Sequence, residues 1–263
     1  MSHQMTSVSL ALVAAVWVVQ MCNGQMVTSP LKNDMPNKRW YTSYRAAWNL
    51  RDKPDRKMAL LIDDTQEEYR DFFAKESVDN IVSLLAAFRK AGMPVVWSYW
   101  ARRWQDGKTG SMDRFYGDAG TDSQLNPNYI WMDNGFEIMH EVAPTKEEEH
   151  MIVPSEHLDM FSNMDKDGYS IIHGMLQKLG VDTIVTVGAW TDECILATAL
   201  SGFQKEYDSI VPWDAVGTPS PYGDEAMKIM TSICCRTDVS ADIVAYLEER
   251  SAAQPKANTQ IEL

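Results

Sequence analysis

The feature that most constrains this chain is a repeated alternation between short, unbroken apolar runs and stretches of helical spacing. Met58–Asp63 (MALLID) is apolar until it ends in acids, the pattern of a strand buried on both faces. Val78, Ile81, Val82, Leu85 and Phe88 then recur at helical spacing, and Gly92 stands where a C′ glycine closes a helix. The alternation continues with strands at Pro94–Trp100 and His150–Val153, a helix around Tyr169–Leu179 ended by Gly180, and a strand at Thr183–Val187. A helix over Asp192–Gln204, a strand at Ile210–Trp213, a helix near Asp224–Ile229, a short strand at Ile233–Arg236 and a helix at Ser240–Glu249 complete it. Strands that are apolar on both faces need helices on both sides of the sheet, and right-handed crossovers join parallel strands. The fold class expected is α/β: a three-layer α/β/α, doubly wound, mostly parallel six-stranded sheet.

Composition sets what surrounds that domain. The 263 residues carry 24 Lys+Arg against 37 Asp+Glu, a net charge of −13, so no basic face is available for a nucleic-acid partner. Only 4 Cys, 14 Gly and 11 Pro exclude a disulfide scaffold, a collagen-like repeat and a disordered chain. Residues 8–19 (VSLALVAAVWVV) form an apolar run too short to cross a bilayer but of signal-peptide length, and Cys22 and Gly24 are small residues before a cut at Gln25. The expected organisation is therefore a signal peptide over 1–24, an arm over 25–56, the domain over 57–250 and a tail over 251–263. A secreted or secretory-lumen chain with no membrane anchor after signal removal follows; a buried N-terminal element would instead leave it cytoplasmic. Cys194, Cys234 and Cys235 remain after the cut, an odd set that leaves at least one free thiol. Adjacent cysteines on a strand point to opposite faces, which disfavours a bridge between Cys234 and Cys235.

A doubly wound sheet binds ligands beyond the carboxyl ends of its strands. Asp64 follows the first strand and Cys194 follows Thr183–Val187, so two residues 130 positions apart meet at one edge. Cys194 falls in the first turn of the next helix, with Thr191 or Asp192 as N-cap, where the dipole and free N–H groups would lower a thiol's pKa. A nearby carboxylate could take the thiol proton and return it to a leaving group. On position alone, an inert buried thiol at Cys194 and a helix-capping carboxylate at Asp64 explain the same residues.

The segment Ala59-Leu60-Leu61-Ile62-Asp63-Asp64-Thr65-Gln66-Glu67-Glu68-Tyr69 resembles the isochorismatase-like cysteine hydrolases, whose first strand is an apolar run followed by D-x-Q-x-x-F/Y. Gly188-Ala189-Trp190-Thr191-Asp192-Glu193-Cys194, continuing Ile195-Leu196-Ala197-Thr198-Ala199, is similar to the family's G-x-x-T-x-x-C-V-x-x-T-A, and Val211-Pro212-Trp213-Asp214-Ala215 to its strand ending in D-A. The likeness spans roughly residues 57–249. It implies Cys194 as nucleophile, Asp64 as general base and acid, and a non-proline cis peptide at Ala189–Trp190 that turns the N–H groups of Trp190 and Cys194 toward an oxyanion. Gln66, Tyr69, Tyr99 and Phe161 are the expected pocket residues. The indole of Trp190 reads as a pocket wall or as core packing.

Two departures from the family stand out. Its lysine, six residues before a Phe, aligns with Ser155 or, with a one-residue gap, Pro154, so His157, Arg102, Arg103 or Arg114 is needed if a cation is to stand beside the acid. Its Asp-x-His metal motif is replaced by Trp97-Ser98-Tyr99-Trp100, so no metal site and no cofactor are expected. The function implied is metal-independent cleavage of an amide-type C–N bond of a small molecule through a cysteine thioester. The alternatives are hydrolysis of a vinyl ether or ester with Asp64 doing the proton work, or a silent ligand-binding member without the family lysine. A small-molecule substrate and a homo-oligomeric assembly complete the expectation.

Overall fold

The computed structural model describes residues 21–22, 25–26, 49–53, 55–101, 111–116 and 137–253. The apolar run at 8–19, Arg102, Arg103, Trp104 and the last residues of the tail lie outside the described residues. Met21–Cys22 pairs antiparallel with Gln25–Met26, on either side of the expected cleavage point.

Seven parallel strands form the sheet. They are β1 (Met58–Asp63), β2 (Val95–Trp100), β3 (Ile152–Ser155), β4 (Thr183–Ala189), β5 (Asp208–Ile210), β6 (Val216–Gly217) and β7 (Cys235–Arg236). Six lie on one path in the order β3-β2-β1-β4-β5-β7, and the two-residue β6 pairs with the end of β4. The expected six-stranded path is thus present, with β6 as an addition too short to show a pattern in sequence. The helices are α1 (Lys75–Lys90), α2 (Ser111–Tyr116), α3 (Ile171–Lys178), α4 (Leu196–Gln204), α5 (Gly223–Ile233) and α6 (Ser240–Ala253).

The pleat sorts β1 between two cores. Met58, Leu60 and Ile62 pack toward α1 and α6 with Leu84, Phe88, Ile243 and Leu247. Ala59 and Leu61 pack on the opposite face with Ile172 and Leu176 of α3. Asp63, next in this alternation, belongs to the second face, and it is buried. Leu50 and Arg56 are also buried; Arg56 donates to the Leu50 carbonyl and the Thr183 hydroxyl and pairs with Asp208, tying residues 49–56 to the starts of β4 and β5.

Several boundaries move for identifiable reasons. His150 belongs to a 3₁₀ turn over Lys146–Met151, opened by Glu148 accepting from the Thr145 N–H at 2.8 Å, so β3 starts at Ile152. The strand expected at Ile210–Trp213 instead ends at Ile210; Pro212 has no N–H for a ladder and its carbonyl accepts from Ala215. Cys234 and Cys235 lie with their sulfurs 3.2 Å apart, not on opposite faces, because Cys234 still closes α5 and only Cys235 is extended.

Candidate active site

β1 and β4 run side by side with Ile62 opposite Val187 and Asp63 opposite Gly188, so their carboxyl ends reach the same edge. Gly188 is required there: its φ is +119°, and a Cβ would stand 1.9 Å from the Asp63 carbonyl oxygen. Beyond it, the Ala189–Trp190 peptide is cis, at the expected position. Thr191–Ile195 then forms one wide turn, with the Ile195 N–H donating to the Trp190 carbonyl five residues back, before α4 begins.

The expected helical first turn at Cys194 is therefore a π turn, and neither Thr191 nor Asp192 caps it. Trp190 occupies the capping position and makes no side-chain capping bond, and Asp192 accepts from the Thr218 hydroxyl at 2.7 Å.

On β1, Asp64 leaves the strand with φ +50°, a left-handed conformation that short polar residues tolerate. That turn breaks the pleat's alternation, so two consecutive carboxyls face one partner. Ser98 of β2 has its Oγ 2.5 Å from Asp63 Oδ1 and 3.0 Å from Asp64 Oδ1, and accepts from the Asp64 N–H at 3.2 Å. Thr198 of α4 donates to Asp63 Oδ2 at 3.1 Å and accepts from the Met160 N–H at 3.0 Å.

Cys194 and Asp64 are both buried, and the thiol and the carboxyl lie close enough that each shifts the other's pKa. Burial raises the Asp64 carboxyl to about 7, although the Cys194 thiol beside it and its bond to Ser98 favour the ionised form. Burial pushes Asp63 well above the usual carboxylate range, and the charge on Asp64 adds to it. The thiol is raised well above its ordinary value, first by burial and then by the charges of Asp64 and Asp63. The shift is thus opposite to the lowering expected at a helix start. A helix dipole is worth about 0.3–1 kcal/mol, less than one pKa unit, and burial beside carboxylates outweighs it.

The other candidates separate. Tyr69 is buried against the Trp190 ring with centroids 4.4 Å apart, and Asp64 and Cys194 both act on its hydroxyl. That hydroxyl has no hydrogen-bond partner among the described residues. Trp190 also meets Phe72 edge-on and belongs to the main core. Gln66 is held by a neighbouring backbone: its amide oxygen accepts from the Trp100 N–H and its amide nitrogen donates to the Trp100 carbonyl, at 2.8 and 3.1 Å. Phe161 lies in the second core, stacked on Tyr207, and Tyr99 packs half-buried on the first.

None of the described lysine substitutes is paired with either acid. Ser155 is buried, donates to the His157 carbonyl and accepts from Asn163 at 3.0 Å. His157 is exposed, and so is Arg114 on α2. At the end of β2 the Trp97 indole donates to the Val142 carbonyl at 2.8 Å, which leaves no ligand where the Asp-x-His would stand. Among the described residues no group of three or more His, Cys, Asp or Glu could hold a metal ion. Asp63, Ser98, Thr198 and Glu193 were not singled out in the sequence. The available signal was an acid at the last position of an apolar strand.

A family model described as the isochorismatase domain matches residues 58–238. The chain belongs to the isochorismatase family. It is accordingly a hydrolase-family α/β protein, and solved isochorismatase-like structures share its fold. A cysteine hydrolase from Pseudomonas syringae pv. phaseolicola 1448A is 20% identical with a TM-score of 0.61, over 74% of this chain and 93% of that one. The N-carbamoylsarcosine amidase from Thermoplasma acidophilum is 21% identical with a TM-score of 0.53, over 70% and 96%. An isochorismatase family protein from Desulfovibrio vulgaris subsp. vulgaris str. Hildenborough is 24% identical with a TM-score of 0.53, over 73% and 100%. No curated protein matches the chain.

Proposed function

We propose that this isochorismatase-family hydrolase cleaves an amide-type C–N bond of a small molecule through a thioester on Cys194. The observation that carries the reading is the juxtaposition of the buried Cys194 thiol and the buried Asp64 carboxyl at the ends of adjacent parallel strands. A neutral thiol is a weak nucleophile, but a carboxylate beside it can remove its proton as sulfur closes on the carbonyl carbon. The Trp190 and Cys194 N–H groups, following the cis peptide, are the candidate donors to the tetrahedral oxyanion. The proton taken by Asp64 passes to the departing nitrogen, the C–N bond breaks, and the amine leaves. Asp64, ionised again, then draws a proton from water as the water attacks the thioester, and returns it to the sulfur.

Tyr69 supports a polar substrate. A buried hydroxyl without a partner costs free energy that a substrate oxygen or nitrogen can offset. The N-carbamoylsarcosine amidase among the similar folds is consistent with C–N bonds of this kind.

The test is ammonia or amine release from a panel of small amides, with intact-protein mass spectrometry to trap the acyl adduct. Cys194→Ala is expected to abolish both. Turnover that survives in Cys194→Ala would overturn the covalent route. It would favour a second reading, in which Asp64, which titrates at about 7, protonates a vinyl ether directly. Activity is expected to rise with pH through about 7 as Asp64 ionises.

A further inference from the structure

The two consecutive acids at the end of β1 raise a question of hydrogen-bond capacity. A serine hydroxyl has one proton and two lone pairs. The Asp64 N–H already occupies one lone pair of Ser98 Oγ, yet Oγ is also within bonding distance of Oδ1 of both Asp63 and Asp64. Ser98 can donate to only one of them, so the other must donate to Ser98. One carboxyl of the pair therefore carries a proton.

We propose that Asp63 carries this proton throughout the catalytic cycle and donates it to Ser98, which donates in turn to Asp64, so that a neutral acid stands where a cation would otherwise hold the catalytic carboxylate. The proposal rests on the reading of Asp64 as the proton carrier for Cys194. No bond is made or broken within the chain. The Asp63 proton stays on Asp63, and the proton that moves is the one exchanged between Cys194 and Asp64.

The surroundings assign the proton to Asp63. Its side chain faces Asp64, Asp159 and two hydroxyls, and these charges together with burial push it far above the ordinary carboxylate range. Asp64 ionises first, at about 7, with Ser98 donating to it and Cys194 beside it. The Thr198 hydroxyl is consistent: the Met160 N–H donates to it, leaving the hydroxyl's own proton for Asp63 Oδ2. The remaining titratable groups acting on the pair are acidic or neutral, namely Glu193, Cys194 and Tyr69. Among the described residues no Lys, Arg or His pairs with either acid. If Asp63 ionised, the Ser98 proton would turn to it. Asp64 would then lose a donor and gain a negative neighbour.

Two measurements test the assignment. Infrared difference spectra of wild type minus Asp63→Asn, taken at a pH well above neutral, are expected to show a carboxylic-acid C=O stretch that ionised carboxylates lack. Its absence overturns the proposal. The rate of Cys194 alkylation by iodoacetamide against pH is the second. Ser98→Ala and Asp63→Leu are each expected to slow it about tenfold near neutral pH and to raise its midpoint by about one unit. Ser98→Thr and Asp63→Asn should recover most of that loss, since the hydroxyl and the amide N–H replace the missing donors. Asp63→Asn slowed as much as Asp63→Leu, with an unchanged melting temperature, overturns the proposal. The two failures are separable: turnover surviving in Cys194→Ala strikes the thioester route, whereas a missing infrared band strikes the proton on Asp63.

Discussion

Two groups of acids sit on either side of one short 3₁₀ helix, Glu67–Phe72, and have opposite chemistry. On its outer side, Arg70 donates to both oxygens of Glu67 and both oxygens of Glu141, and the Glu141 carboxyl is drawn down to about 2. On its inner side, Asp63 and Asp64 lie buried with hydroxyls and a thiol as partners, and both are raised. The difference shows what tunes an acid here: a guanidinium partner at the surface, dehydration and neutral donors inside. The outer cluster can serve only as a clasp, because its carboxylates stay ionised under ordinary conditions. The inner pair can exchange protons near neutral pH, which is what acid–base catalysis requires.

The largest effect should come from removing the inner acid. Asp64→Asn is expected to lower turnover about 10²–10⁴-fold, the range for a general acid–base residue, measured as steady-state amide hydrolysis. The same substitution sharpens the contrast in stability. A carboxyl raised from 3.8 to about 7 binds its proton more tightly folded than unfolded. Its contribution is therefore complete below pH ~4 and lost as pH rises through about 7, by up to about 4 kcal/mol. Denaturant titrations across that window should show stability falling with pH in the wild type and a flatter profile in Asp64→Asn. A flat wild-type profile would mean that Asp64 is not held in a dehydrating site.

Next in size is Gly188→Ala. A Cβ 1.9 Å from the Asp63 carbonyl oxygen, at φ +119°, forces β1 and β4 apart where the site is built. A loss of about 3 kcal/mol in chemical denaturation is expected, together with loss of activity. The smallest effect belongs to the outer clasp. Arg70→Ala should cost no more than about 1 kcal/mol, since the pair is part-exposed and screened. The sign is opposite to that of Asp64: a lowered carboxyl contributes above its unfolded value near 4.5 and loses that contribution as pH falls toward about 2. Salt should weaken the Arg70 effect and leave the Asp64 profile largely unchanged.

Much of the fold was legible because strands buried on both faces must be apolar, and MALLID and TIVTVGA are. β6 was not legible, since two residues carry no period, and the end of β5 was shifted by a proline that the apolar pattern ignores. Asp64 and Cys194 stood out by their places after two strands, and only the resemblance to the family's motifs implied their roles. That Phe161 packs in a second core and Gln66 bonds a neighbouring strand's backbone was not legible, because an aromatic ring or an amide near a site motif does not reveal its partners.

The order of residues alone determined the alternation of elements, the parallel sheet and the two strand ends where an acid and a thiol emerge, because these follow from local periodicity and chain connectivity. The tertiary structure alone decided the direction of each pKa shift: a thiol pushed up by burial, an acid raised to about 7, and a second raised acid sharing its serine. Protonation depends on how much water is excluded and which dipoles face the group, and those partners come from β2, the 3₁₀ helix, the π turn and α4, far apart along the chain.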